Sequence, residues 1–238
     1  MHVTFLGHSG FLVELERVCL LFDYWQGTPP EPVQGKGLMA FASHTHHDHF
    51  NPAIFAYGAR WDRADYVLGN DIHVSAKRKA ELGVREETFH RLGPDREAEY
   101  QGVHIRTLRS TDAGVAFLVE AEGKRLYHAG DLNWWYWDEE TKEDNDAMTA
   151  AFQKEVAKLK DIPIDLAFLT LDGRQAQYAY LGFDYYMTHC AIRKAVPMHS
   201  FGDYGPHKAI LEDPISEPYR EKILLMTEPG ETVRIQSI

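Results

Sequence analysis

Apolar positions near the start of the chain come in short, partly alternating runs, Val3 to Leu6, Phe11 to Leu15 and Val18 to Phe22, separated by Gly7-His8-Ser9-Gly10 and by Glu16-Arg17. Period-two patterning with glycine and charged breaks predicts a meander of strands. A loop rich in Gly and Pro follows from Gly27 to Gly37, and the apolar run Leu38 to Ala42 then leads directly into Ser43-His44-Thr45-His46-His47-Asp48-His49. The histidine cluster therefore lies at a strand end. Asn51 is a suitable N-cap and Pro52 a suitable first-turn residue, with Ile54, Phe55 and Tyr57 as a buried face, so a helix is expected after the cluster.

Tyr66 to Leu68 reads as a strand, Val74 to Leu82 as a helix ended by Gly83, and Val103 to Leu108, Val115 to Ala121 and Arg125 to His128 as further strands. Met148, Phe152, Val156 and Leu159 share one face of a helix predicted over Asp146 to Lys160. Asp165 to Leu169 is then a strand, Tyr185 to Lys194 a helix, and Ala195 to Met198 a short strand ending at His199. Ile223 to Met226 and Thr232 to Ile235 are two closing strands. No repeat or linker interrupts the pattern, and a single domain over residues 1–238 is expected.

At 44% hydrophobic and 12% aromatic residues the 238-residue chain can bury a sizeable core and lacks the composition of a disordered segment. Its net charge of -11 argues against nucleic-acid binding, which depends on clustered Lys and Arg. No apolar run approaches the roughly 18 residues of a membrane span, and the first residues lack a basic stretch followed by an apolar one. A cytoplasmic location is expected. Cys19 and Cys190 have no CxxC spacing, so neither a disulfide framework nor a cysteine-rich zinc site is supported.

The chemistry concentrates in H-x-H-x-D-H, formed by His44, His46, Asp48 and His49. A turning loop can aim the alternate side chains His44 and His46 at one ion while Asp48 and His49 face a second. Two divalent ions about 3.5 to 4 Å apart can share a hydroxide and polarise the bond it attacks, which is hydrolytic chemistry.

With that loop, Leu20-Leu21-Phe22-Asp23 before it, Gly130-Asp131 after it and His199 behind a late strand, the chain resembles the metallo-β-lactamase superfamily of metal-dependent hydrolases. Leu6-Gly7-His8-Ser9-Gly10-Phe11 and Tyr127-His128-Ala129-Gly130-Asp131 look most like the branch containing the L-ascorbate-6-phosphate lactonases. The resemblance implies a four-layer αββα sandwich, with two mixed sheets face to face and helices outside. It also implies that His44 and His46 bind one metal, Asp48 and His49 the other, that Asp131 bridges them, and that His199 completes the second site. At the spacing where the family places a histidine before the bridging aspartate, this chain has Asp112. Asp112 is expected to replace that ligand, a carboxylate suiting Mn and Fe while the imidazoles still accept Zn; the alternative is that it caps a turn, with His104 and His90 as substitutes.

Asp23 is expected to support the loop by hydrogen bonds without touching metal. Asp48 would orient or deprotonate the attacking water. His8 and His128 are candidates for lining the substrate pocket or for structural roles, and His47 is expected to point away. Trp134 and Trp135, in the run Trp134-Trp135-Tyr136-Trp137, are candidates for a flat wall beside the metals, and Arg174 for gripping an anionic group. The reading is a binuclear hydrolase of an ester-like bond, phosphodiester or lactone, in a small anionic molecule. The alternatives are an iron-dependent redox enzyme on the same fold and a non-catalytic metal-binding module.

Overall fold

A computed structural model describes residues 1–236 of the chain. The early alternation does build an antiparallel meander: β1 (His2–Gly7), β2 (Gly10–Glu14) and β3 (Val18–Phe22) pair in sequence. Parallel strands β4 (Gly37–Ala42), β5 (Ala64–Gly69) and β6 (Phe89–Leu92) extend the sheet from β3. The connections carry short helices, α1 (Ala53–Gly58) after β4 and α2 (Ala76–Glu81) after β5. One sheet face is buried under α1 and its surroundings, where Leu12, Leu21, Leu38 and Leu68 meet Ile54, Phe55, Tyr57 and Trp61. The other face is apolar too, with Phe22 stacked on Phe41 at 4.8 Å. Residues of a half-exposed sheet would alternate with polar ones, so this near-continuous burial marks strands covered on both sides.

A second sheet runs β7 (Glu97–Tyr100), β8 (Val103–Arg109), β9 (Val115–Ala121) and β10 (Lys124–His128) as an antiparallel meander, then β11 (Ile164–Thr170) and β12 (Ile192–Met198) in parallel. The crossovers hold α3 (Lys142–Val156) and α4 (Leu181–His189), and α5 (Gly205–Ala209) follows β12. Finally β13 (Thr232–Arg234) returns to pair antiparallel with β1. The chain thus forms two compact units, Met1–Gly93 with the stretch from Thr227, and Pro94–Met226, each built on one mixed sheet with helices. Two mixed sheets with flanking helices is the predicted fold class. Among the described residues no helix is long and apolar enough to cross a membrane.

Most predicted elements lie within a residue or two of those observed, and the differences have local causes. Helix α3 starts at Lys142, ahead of its apolar stripe, because Thr141 caps it: its hydroxyl accepts the Asp144 N–H at 3.2 Å. The helix predicted over Tyr185 to Lys194 is instead α4, which stops where Cys190 turns extended. Arg193 and Lys194 already belong to β12, the latter half-buried beside fully buried Ala195. Ile223 to Met226 is not a strand but a single bridge from Ile223 to Ala195. Strands β6 and β7 escaped the pattern because they are short and partly polar.

Candidate metal centre

In the first unit the site is built where three strand ends meet. The β1–β2 turn places His8 at φ 55°, fully buried, and Asp23 follows β3 at φ 39°. Positive φ at non-glycine residues is costly and concentrates where function demands it. The carboxylate of Asp23 accepts the Ser43 N–H and hydroxyl, each at 2.7 Å, and lies 2.7 Å from His49 Nδ1. Since the serine proton is committed to Asp23, the Ser43 oxygen, 2.9 Å from His44 Nδ1, accepts from that ring. Both Nδ1 atoms thus carry the proton, which leaves Nε2 of His44 and His49 as the lone-pair nitrogen. A carboxylate that fixes the tautomer and tilt of an imidazole is the usual support of a metal-binding histidine.

His44 and His49 are buried with ring centroids 4.3 Å apart, and His46, which is exposed, lies 4.5 Å from His44. Asp48 Oδ2 is 3.3 Å from His8 Nε2 and 3.7 Å from His49 Nε2. His8, Asp48 and His49 each offer a ligand atom within 4.8 Å of the others. Burial alone would raise the Asp48 carboxyl, but above all its hydrogen bond with His8 holds it well below the usual carboxylate range. His47 is exposed and meets Trp25 edge-on. His90 sits on β6 with Nε2 3.3 Å from Asp65.

In the second unit, Asp131 follows β10 and His199 follows β12. Thr170 Oγ1 donates to the Gly130 carbonyl at 2.8 Å, and Trp135 Nε1 donates to the Asp131 carbonyl at 3.0 Å, so the backbone around Asp131 is held from both sides. His199 Nε2 is 3.2 Å from Asp131 Oδ1, and its Nδ1 is 3.0 Å from Asp172 Oδ2. Asp172 is buried, which raises its carboxyl, yet the hydrogen bonds from His199 and Arg174 outweigh that and hold it low. The second unit thus repeats the carboxylate–imidazole arrangement of the first.

The remaining predicted residues divide. Trp135 lies beside His199, at 5.7 Å, and stacks on Trp137. Trp134 turns the other way, its Nε1 donating to Thr149 and its ring packing on Phe152 of α3, which corrects the expectation of a wall made by both rings. His128 is buried against Phe168 and accepts the Gly130 N–H through Nδ1. Arg174 donates through Nε and Nη2 to Asp172 and lies 4.3 Å over the Phe201 ring, its side chain 56% exposed. Asp112 is exposed in the β8–β9 turn, its N–H donated to Ser110. His104 is exposed on β8, in register with Glu120.

Sequence reasoning missed Ser43, Asp172 and Phe201. Asp172 lies two residues before Arg174 in the sequence, but the parallel pairing of β11 with β12 is what brings it to His199. Phe201 carried no signal in the sequence; it is in the structure that it stands out, as an exposed large apolar residue with φ 47°.

The Beta-lactamase superfamily domain matches residues 2–148. A UPF0173 metal-dependent hydrolase of Opitutus terrae is 32% identical over 144 residues, covering 55% of this chain and 63% of that protein. The chain therefore spans less than two thirds of that relative's length. A UPF0173 metal-dependent hydrolase of Thermococcus kodakarensis is 26% identical over 98% of this chain and 99% of its own. Among solved structures, the metallo hydrolase Igni18 of Ignicoccus hospitalis superposes with a TM-score of 0.60 at 18% identity, over 100% of this chain and 99% of that one. The metallo-beta-lactamase fold protein YhfI of Bacillus subtilis gives 0.62 at 14% identity over 98% and 99%. These two likenesses show the fold.

Proposed function

The chain belongs to the metallo-β-lactamase superfamily, and from that premise we propose that it is a metal-dependent hydrolase of an ester-like bond, phosphodiester or lactone, in a small anionic molecule. The observation that carries this reading is the paired support of imidazoles by buried carboxylates, Asp23 on His49 and Asp172 on His199. The donors fit the metals: imidazole nitrogens and carboxylate oxygens suit Zn, Mn and Fe. In this reading His44 and His46 hold one ion, Asp48 and His49 the other, Asp131 serves both, and His199 completes the second. Asp112 is the proposed further ligand of the first. The bound ions supply Lewis acidity and a lowered water pKa.

The protein's own groups do the rest. Asp48, kept ionised by its hydrogen bond with His8, is the group proposed to orient the attacking water. Asp172 keeps the His199 ring aligned and pins one edge of the Arg174 guanidinium, so that a substrate oxyanion meets a cation of fixed orientation. Trp135 and Phe201, each within ring contact of His199, offer the flat apolar surface beside it.

The test is turnover by metal-loaded protein on phosphodiester and lactone panels that include neutral and anionic members. We expect turnover of an anionic ester, with Arg174→Gln raising its KM about tenfold or more and sparing neutral esters. Absence of turnover on every ester in the fully metal-loaded protein contradicts the reading. Asp112→Ala is expected to weaken binding of one ion in a metal titration, and unchanged binding removes Asp112 from the ligand set.

A further inference from the structure

Strands β4 and β5 are parallel, with Leu38 opposite Ala64 and Ala42 opposite Leu68. Carried past the strand ends, the same offset sets Ser43 beside Gly69 and Thr45 beside Asp71. There the main chains no longer pair. Instead, the Thr45 N–H donates to Asp71 Oδ2 at 2.9 Å, so a carboxylate takes over from the missing backbone carbonyl. The join is tight: a Cβ on Gly69 would lie 2.3 Å from the Ser43 carbonyl oxygen and 2.8 Å from Asp71 Oδ1, so only glycine leaves room for both contacts. Asp71 is itself held at the strand end by a turn in which the Ile72 N–H donates to the Gly69 carbonyl at 3.0 Å.

Thr45 is the residue between His44 and His46. Residues 43–46 bend away from the end of β4, so strand alternation does not by itself set which way the two rings face. The Thr45 N–H bond to Asp71 instead fixes the backbone of that bend between the two histidines, whose ring centroids lie 4.5 Å apart. Buried His44 also has Ser43 to position it, whereas His46 is exposed. We propose that Asp71 is a positioning residue of the metal centre, extending the β4–β5 ladder by one side-chain hydrogen bond so that exposed His46 is presented beside His44. This rests on the metal-binding reading above. It adds a residue outside the H-x-H-x-D-H segment that sets the affinity of one ion.

The experiment is a competitive Zn titration of the whole protein, paired with visible absorption of its Co(II)-loaded form, on the parent and Asp71 variants. Asp71→Ala is expected to bind one ion about 10- to 100-fold more weakly, the usual effect of losing a residue that orients a ligand, and to leave the other ion unchanged. Asp71→Asn keeps an acceptor oxygen at the same reach and is expected to stay near the parent in affinity and spectrum. Asp71→Glu keeps the charge but shifts the oxygen by one methylene, and is expected to weaken the same ion and alter the Co(II) bands. Should Asp71→Ala fail to fold, the Asn and Glu pair decides alone. Parent-like binding by Asp71→Ala or by Asp71→Glu, or an Asn variant that weakens binding, overturns the positioning role. A parent that takes up no metal overturns the functional reading as well, so the two failures are told apart.

Discussion

The carboxylate of Asp23 accepts three hydrogen bonds, from the Ser43 backbone N–H, the Ser43 hydroxyl and His49 Nδ1. Removing it in Asp23→Ala leaves three buried donors without their acceptor, at about 1 to 3 kcal/mol each before relaxation. Asp23→Asn is the sharper test. Its amide keeps one acceptor oxygen for the backbone, but its NH2 faces Ser43 and His49 and favours the tautomer with the proton on Nε2, where a metal would bind. We expect Asp23→Asn to remain folded and lose about 10- to 100-fold in metal affinity, read in a titration. Equal affinity in the variant and the parent would show that the Asp23 contact does not set the tautomer. The core of the site was legible at this scale because its residues are adjacent: His44 to His49, Asp131 and Asp23 stand in short spaced segments. Asp172 and Asp71 were not, since each acts through strand register with a residue far along the chain.

At the level of elements, α4 does more than cover β11 and β12. Tyr186 on α4 donates to the Leu132 carbonyl at 3.0 Å and accepts from Tyr127 of β10 at 2.9 Å, with both rings fully buried. Burial raises both phenols far above their ordinary range, so the pair is a neutral chain of donors ending on the residue after Asp131. Tyr186→Phe keeps the packing and strands the Leu132 carbonyl and the Tyr127 hydroxyl. A loss of about 1 to 3 kcal/mol is expected in urea unfolding, against a smaller one for Tyr127→Phe, which leaves the bond to Leu132 in place. A Tyr127→Phe loss equal to or larger than that of Tyr186→Phe would contradict this order. The pattern of apolar residues found most elements but misplaced this helix, because Leu181 to His189 has no polar face sharp enough to mark its ends.

Across the whole molecule, the sequence conveyed the order of strands and helices and the two-sheet class, because continuous apolar runs and helical stripes alternate along it. It conveyed less about what polar groups do once buried. His207 is an example: it is 1% exposed, its Nε2 donates to the Leu171 carbonyl at 2.8 Å, and burial pushes its pKa down from 6.5 to about 4. Between those two values the unfolded chain takes up a proton that the folded chain refuses. Stability contributed by neutral His207 is therefore complete above pH 6.5 and is lost as pH falls towards 4, by up to about 3 kcal/mol. Urea unfolding at pH 7 and pH 4.5 should show this loss, and His207→Gln should lessen it; a slope unchanged by the substitution would place its origin elsewhere. The thiols offer a simpler check of the core. Cys19 and Cys190 are both buried, and burial pushes the Cys190 thiol up to about 12, so neither should react with a thiol reagent until the protein unfolds. Fast labelling of the native protein would contradict that burial.

The claim on which all of this turns is that the buried imidazoles and carboxylates hold metal. Elemental analysis of protein purified without chelator and reloaded separately with Zn, Mn and Fe tests it most directly. About two ions per chain are expected with at least one of these metals, retained through gel filtration and released by chelator with the fold intact. Folded protein that retains no metal under any loading condition would contradict it.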